Sequence, residues 1–224
     1  MSQIKHYVRI RSIDSVHQVI INGETLMQSA PAESLLTNLY KAHVDDYPKF
    51  YKMDPLCRAG FVASELLFKA EKYGCLDNWI NTDDSISEHP EIQYGESRGV
   101  VLFNTASSLA DDRNYQATIN DPENTFPSPS LFVYTLPNVL TGEIAIRNRY
   151  YGETNFIVLP EFDSDTIAAT ITMTFSDLLL QSLITGWVEC FSDTDYNVLM
   201  FIVERSARGH KNELSQEIKI LNNN

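Results

Sequence analysis

Apolar and polar residues alternate from His6 to Arg11 and again from Val16 to Ile21, and the second stretch runs into Asn22-Gly23. Alternation marks a half-buried strand, and Asn-Gly is a strong turn signal. One or two early strands are therefore predicted. Leu35, Leu36, Leu39, Tyr40 and Val44 recur at helical spacing over residues 32–44, ahead of Pro48. A second helix is predicted over 55–73, with Pro55 near its start, Phe61, Val62, Leu66 and Leu67 inside, and Gly74 as its stop. Residues 76–97 are polar and acidic and read as a surface loop with a turn or two. Arg98 to Asn104 is a short continuous apolar run, the pattern of a strand covered on both faces. A long polar section over 105–129 follows, then a brief apolar stretch from Leu131 to Tyr134. A helix is predicted from Pro137-Asn138 to about Arg149, and a buried strand from Thr154 to Leu159.

The most apolar segment is 163–183. Ile167, Ala168, Ile171, Phe175, Leu178, Leu179 and Leu183 leave almost no polar face, so it is predicted as one long helix buried on more than one side. Ile184 to Cys190 and Val198 to Glu204 read as a hairpin around Ser192–Asp195, and 210–224 as a polar tail that frays. This order predicts an α/β domain with helices on both sides of a mixed five-stranded sheet. No repeat, low-complexity tract or linker interrupts it. One domain over 1–209, followed by the tail 210–224, is expected.

Composition narrows the function. The 224 residues carry a formal charge of -13, and the pI is about 4.7. Nucleic-acid binding is dominated by basic contacts to phosphate, so that class is excluded, as is attraction to anionic membrane surfaces. No apolar run reaches about 18 residues, so no membrane span is expected. The N-terminal residues have no apolar core of a secretory signal. Cys57, Cys75 and Cys190 are widely spaced and show no metal-binding pattern, which suits free thiols in a reducing cytoplasm. His6, His17, His43, His89 and His210 are scattered, and no Gly-rich phosphate loop occurs. No metal and no cofactor are expected.

Few motifs carry chemistry. Gly95-Glu96-Ser97-Arg98-Gly99 matches Gly-x-Ser-x-Gly, but a nucleophile elbow needs its strand before the serine, and here the strand comes after. Asp163 and Asp165 read as a helix cap, and Asp193 and Asp195 as a hairpin turn.

A family resemblance rests on several segments. Tyr134-Thr-Leu-Pro-Asn138 resembles a characteristic Pro-Asn helix start. Glu143-Ile-Ala-Ile-Arg147 and Gly152-Glu-Thr154 resemble the helix and glycine turn that follow it. Leu183-Ile-Thr-Gly-Trp-Val-Glu189 and Val198-Leu-Met-Phe-Ile-Val-Glu204 resemble a final strand pair, and Met53-Asp54 and Arg98-Gly-Val-Val-Leu102 resemble earlier elements. Together they resemble the N-terminal half of a β-ketoacyl-(acyl carrier protein) synthase of the thiolase superfamily. The resemblance implies a thiolase-like half with αβα layers and one strongly apolar central helix. In that family a catalytic cysteine sits between a buried strand and the N-terminus of a buried helix, where the helix field favours the thiolate. The corresponding junction here, Leu159-Pro160-Glu161-Phe162-Asp163, has no Cys, Ser or Thr. The His-bearing second half of the family is not matched. The resemblance therefore implies a pseudoenzyme, a non-catalytic 3-oxoacyl-(acyl carrier protein) synthase homologue of fatty-acid or polyketide biosynthesis, suggestive of a bacterial pigment or aryl-polyene-type cluster.

A lone half would leave apolar surface of 163–183 in water, at about 25 cal/mol per Å². Ile171, Phe175 and Leu179 are accordingly the interface candidates, for a second copy or for a heterodimer with an active ketosynthase. An acidic acyl carrier protein would need a basic patch, for which Arg147 and Arg149 are the candidates. Two other readings stay open. Glu161, standing where the thiol would be, would serve a malonyl-carrier decarboxylase as a general base if desolvated. The alternative is a small α/β binding domain sharing only the architecture.

Overall fold

The computed structural model describes residues 4–13, 16–29, 34–74, 76, 94–120, 126–205 and 211–223. In chain order these form β1 (Ile4–Ile13), β2 (Val16–Ile21), β3 (Glu24–Ser29), α1 (Leu35–His43), α2 (Pro55–Tyr73), β4 (Arg98–Asn104), α3 (Leu109–Ile119) and α4 (Pro129–Tyr134). There follow α5 (Asn138–Asn148), β5 (Thr154–Val158), α6 (Ser164–Thr174), β6 (Ser182–Ser192), β7 (Asp195–Glu204) and α7 (Lys211–Asn223). The strands make one seven-stranded sheet in the order β3-β2-β1-β7-β6-β4-β5. The β6–β4 and β4–β5 pairs are parallel, and the rest are antiparallel.

The expected five strands become seven because the N-terminal alternation continues past its turn. Asn22 and Gly23 both take positive φ, at 50° and 90°, which bends β2 back into β3. The Asn22 side chain also accepts from Tyr7 N at 2.9 Å and donates to the Gly74 carbonyl at 2.9 Å, tying this hairpin to the end of α2.

The two faces of the sheet hold separate cores, as the side-chain alternation of strands requires. Val100, Leu102, Ile184, Val188, Met200 and Ile202 meet α1, α2 and α5 on one face. Val101, Phe103, Leu183, Trp187, Leu199 and Phe201 meet α6 and α7 on the other. The central strands are apolar at consecutive positions because both of their faces are covered. Gly186 in β6 has φ +152°, and a Cβ there would overlap the Leu199 carbonyl of β7.

Helix α2 lies along the first face. The Asp54 carboxylate caps it, accepting from Leu56 N and Cys57 N at 3.1 Å each, and Pro55 occupies its first turn. Arg98, at the start of β4, ties α2 to the sheet. Its guanidinium is 1% exposed and donates to both carboxylate oxygens of Glu71, at 2.8 and 2.6 Å. Its Nε donates to Ser182 Oγ at 2.7 Å, and the Tyr94 ring stacks 3.5 Å away. Burial alone would lower the Arg98 pKa, but the bonds and charge of Glu71 hold it above the ordinary arginine value.

Two expectations need correction on the second face. The helix predicted over 163–183 ends at Thr174. Beyond it Asp177 Oδ1 accepts from Leu179 N at 2.9 Å, and Gln181 N donates to the Ser97 carbonyl at 2.7 Å, drawing the chain into β6. An all-round apolar pattern read as one helix is thus a helix, a turn and the approach to a central strand. The tail expected to fray instead forms α7, with Leu214 and Ile218 buried in the same core as Ile167 and Ile171. Ser215 Oγ donates to Asp165 Oδ1 at 2.6 Å, and Arg9 donates to the Leu221 carbonyl at 2.5 Å. Much of the face that a lone half would leave in water is therefore covered by this chain itself. The sheet wall also differs at 105–129, predicted as polar connection, where α3 forms.

Breaking a buried pair leaves the remaining charge uncompensated. Arg98→Ala should therefore lower stability in urea unfolding by about 3–5 kcal/mol. Lys5→Ala, which removes the surface pair to Glu204 at 3.8 Å, should change it by less than about 1 kcal/mol.

Candidate partner interface

Strand β5 closes the sheet on one side. It pairs with β4, and among the described residues no strand lies beyond it. Val100 N donates to the Glu153 carbonyl, and Leu159 N to the Asn104 carbonyl, both at 2.8 Å. In a parallel pair the bonding residues alternate. The N–H groups of Thr154, Phe156 and Val158 consequently point away from the sheet. Natural edges carry Lys, Pro or a bulge to prevent further pairing, and Thr-Asn-Phe-Ile-Val has none of these.

Apolar side chains flank this edge. Val158 is 49% exposed and Tyr151 67%. The turn after α6 lies against the entry to β5, since a Cβ on Gly152 would strike the Arg98 carbonyl and the Leu180 side chain. That turn presents Leu178 and Leu179, at 80% and 64% exposed.

Of the interface candidates, Leu179 is thus at the surface. Phe175 is half-buried, its ring 5.3 Å from the Arg205 guanidinium. Ile171 is fully buried in the core beneath α6 and is not at the surface of this chain. The carrier candidates separate in the same way. Arg147 is largely buried and bound to Asp46 at 2.5 Å and Glu65 at 3.4 Å, with the Tyr47 ring 5.1 Å away. Arg149 is exposed and caps α5 at φ 54°.

The junction before α6 is built around its cap. Asp163 accepts from Asp165 N at 3.0 Å and Thr166 Oγ1 at 2.6 Å, which holds its carboxyl below the usual range. Glu161 is exposed on the bend before it. The described residues do not supply the desolvation that general-base chemistry at Glu161 requires. Ser97 is occupied too, its hydroxyl donating to the Tyr94 carbonyl at 2.6 Å. Cys57 and Cys190 are free and buried. Burial, followed by the charge of Asp54, pushes both thiols up, away from the reactive thiolate. Cys75 lies outside the described residues, as does most of the acidic stretch 77–97.

One site residue escaped the sequence reading. Glu189, 7% exposed near the end of β6, accepts from Thr105 N at 2.9 Å, Thr105 Oγ1 at 2.6 Å and Ala106 N at 3.1 Å. It anchors the loop leaving β4, whose Asn104 carbonyl receives Leu159 N just before Glu161. The available signal was an acidic residue set inside an apolar run.

No protein-family model matches the chain, and no curated protein matches it. Solved structures do. The ishigamide ketosynthase/chain length factor aligns with a TM-score of 0.54 and 17% identity, over 76% of this chain and 48% of that one. The ketosynthase (ApeO) in complex with its chain length factor (ApeC) from Xenorhabdus doucetiae aligns with a TM-score of 0.53 and 11% identity, over 100% of this chain and 91% of that one. The chain has the ketosynthase and chain length factor fold. It spans about half the length of the first structure's chain and nearly all of the second's. At these identities the likeness is one of fold. Among the described residues, no helix of this ketosynthase-fold chain is long and apolar enough to cross a membrane.

Glu189→Ala removes three charge-supported hydrogen bonds and should cost about 2–3 kcal/mol in denaturant unfolding. The same variant should raise amide exchange at Thr105 and Ala106 more than at β7.

Proposed function

We propose that this chain is a non-catalytic, ketosynthase-like subunit that pairs with an active ketosynthase in fatty-acid- or polyketide-type synthesis, in the manner of a chain length factor. The observation that carries the reading is the unprotected β5 edge with its apolar flanks. An edge with outward N–H groups and no Lys, Pro or bulge is a template for another strand. Tyr151, Val158, Leu178 and Leu179 supply the desolvated contact that backbone pairing alone lacks. The names of the structural neighbours support a ketosynthase as the occupant. The segment 159–163 offers no thiol or hydroxyl nucleophile before α6, which supports a structural role in the pair.

Light scattering after size exclusion tests this. The chain mixed with its cognate ketosynthase should elute as a one-to-one complex. Val158→Pro removes an outward N–H and leaves the bonds to β4 in place, and Leu179→Asp puts a charge on the flank. Each should weaken the complex at least about tenfold, with an unchanged circular dichroism spectrum. Full-strength binding by both variants would contradict the edge assignment, as would a stable dimer of the chain alone at twice 25.5 kDa that ignores the ketosynthase. Given acyl- and malonyl-carrier proteins, the chain alone should release no condensation product, and product formed by it alone would overturn the non-catalytic reading.

A further inference from the structure

No apolar side chain of helix α3 is buried. Asp111 is its one buried side chain, at 2% exposed, whereas Leu109 and Ile119 lie at the surface. One carboxylate oxygen of Asp111, Oδ2, has no hydrogen-bond partner.

The helix packs against α2, α4 and β6. The titratable groups at this end include Asp54, Cys57 and Arg58 at the start of α2, Tyr134 at the end of α4, Glu189 and Cys190 near the end of β6, and Asp112, Arg113 and Tyr115 on α3 itself. The charges of Asp54 and Asp112 act on Asp111. Arg58 acts on Asp54 and reaches out to Asp193 at 3.5 Å. Glu189 is taken up by Thr105 and Ala106. A buried carboxylate with an unpartnered oxygen near a second carboxylate is stable as the neutral acid and costly as the anion.

We propose that Asp111 is a pH-sensitive latch. In its neutral form it lets α3 sit against α2 and β6, and on ionisation it drives α3 off that surface. The motion would carry α4 with it, because the Tyr115 ring packs 5.5 Å from that of Phe132 and the Ser108 hydroxyl donates to the Thr135 carbonyl. Glu189, gripping Thr105 and Ala106, fixes the point from which α3 swings.

Burial first, then the charges of Asp54 and Asp112, push the Asp111 carboxyl up to about 6 from its ordinary 3.8. An acid with a higher pKa docked than free favours docking most below the free value. That advantage is lost as pH rises toward the docked value and is constant above it. From about pH 5 to about pH 7.5 the docking equilibrium should fall about tenfold.

Amide hydrogen exchange on the full chain at those two pH values, corrected for intrinsic rates, reads this. Protection of α3 should drop about tenfold relative to β7, and Asp111→Asn should hold it constant. Asp54 is also raised by burial, so Asp54→Asn, which keeps a capping side chain, should shrink the pH dependence without abolishing it. Equal α3 protection at both pH values would overturn the proposal. A carboxyl-carbon NMR titration of the unaltered protein decides the matter even where a variant fails to fold. A midpoint near 6 is expected, and one at about 4, the ordinary aspartate value, would contradict the latch.

Discussion

Strands β4, β6 and β7 are apolar on both faces, so the sheet is stable only with helices covering both. Nearly every residue from Leu183 to Cys190 and from Val198 to Val203 is buried. On one face α2 and α5 supply the cover, and Arg98 and Glu71 lock α2 in place. On the other face α6 is too short to do so alone. Helix α7 completes the layer, stitched by Ser215 to Asp165 and by Arg9 to the Leu221 carbonyl. With both faces covered from within, the surface left for a partner moves from the sheet face to the sheet edge. That shift replaces the expected docking across a buried helix with the proposed docking along β5.

The charge of the chain fits this arrangement. The chain carries a net -13, and of the two carrier candidates only Arg149 is exposed. Arg147 is held by Asp46 and Glu65, and Arg98 by Glu71. Buried acids are satisfied more unevenly. Glu189 has three donors, whereas Asp111 keeps one oxygen without any. The contrast is between a carboxylate that fixes a loop in place and the one proposed to act as a latch.

Much of the fold was legible because periodicity and caps agreed. Helix α2 begins and ends where Pro55 and Gly74 imply, and Arg98–Asn104 is a strand buried throughout. The errors share a physical cause. The stretch 163–183 is apolar without period, and burial on two sides cannot be told from a buried strand approach by pattern alone. Helices α3 and α7 were missed or misread because their polar faces dominate. In α7 Leu214 and Ile218 are the buried apolar residues, and in α3 the buried residue is an aspartate. The candidate site was legible in part. Of the residues expected at an interface from their apolar setting, Leu179 is exposed, but Ile171, three residues from Thr174 in the same run, faces the core. The open edge of β5 depends on strand order, which no local pattern encodes.

The central claim is that β5 is the partner-binding edge, and residue-resolved exchange of its amides tests it most directly. In the free chain the outward amides of Thr154, Phe156 and Val158 should exchange rapidly, while Leu159, bonded to Asn104, stays protected. Addition of the ketosynthase should protect the outward set. If the ketosynthase binds and those three amides still exchange freely, the partner sits elsewhere and the account is wrong.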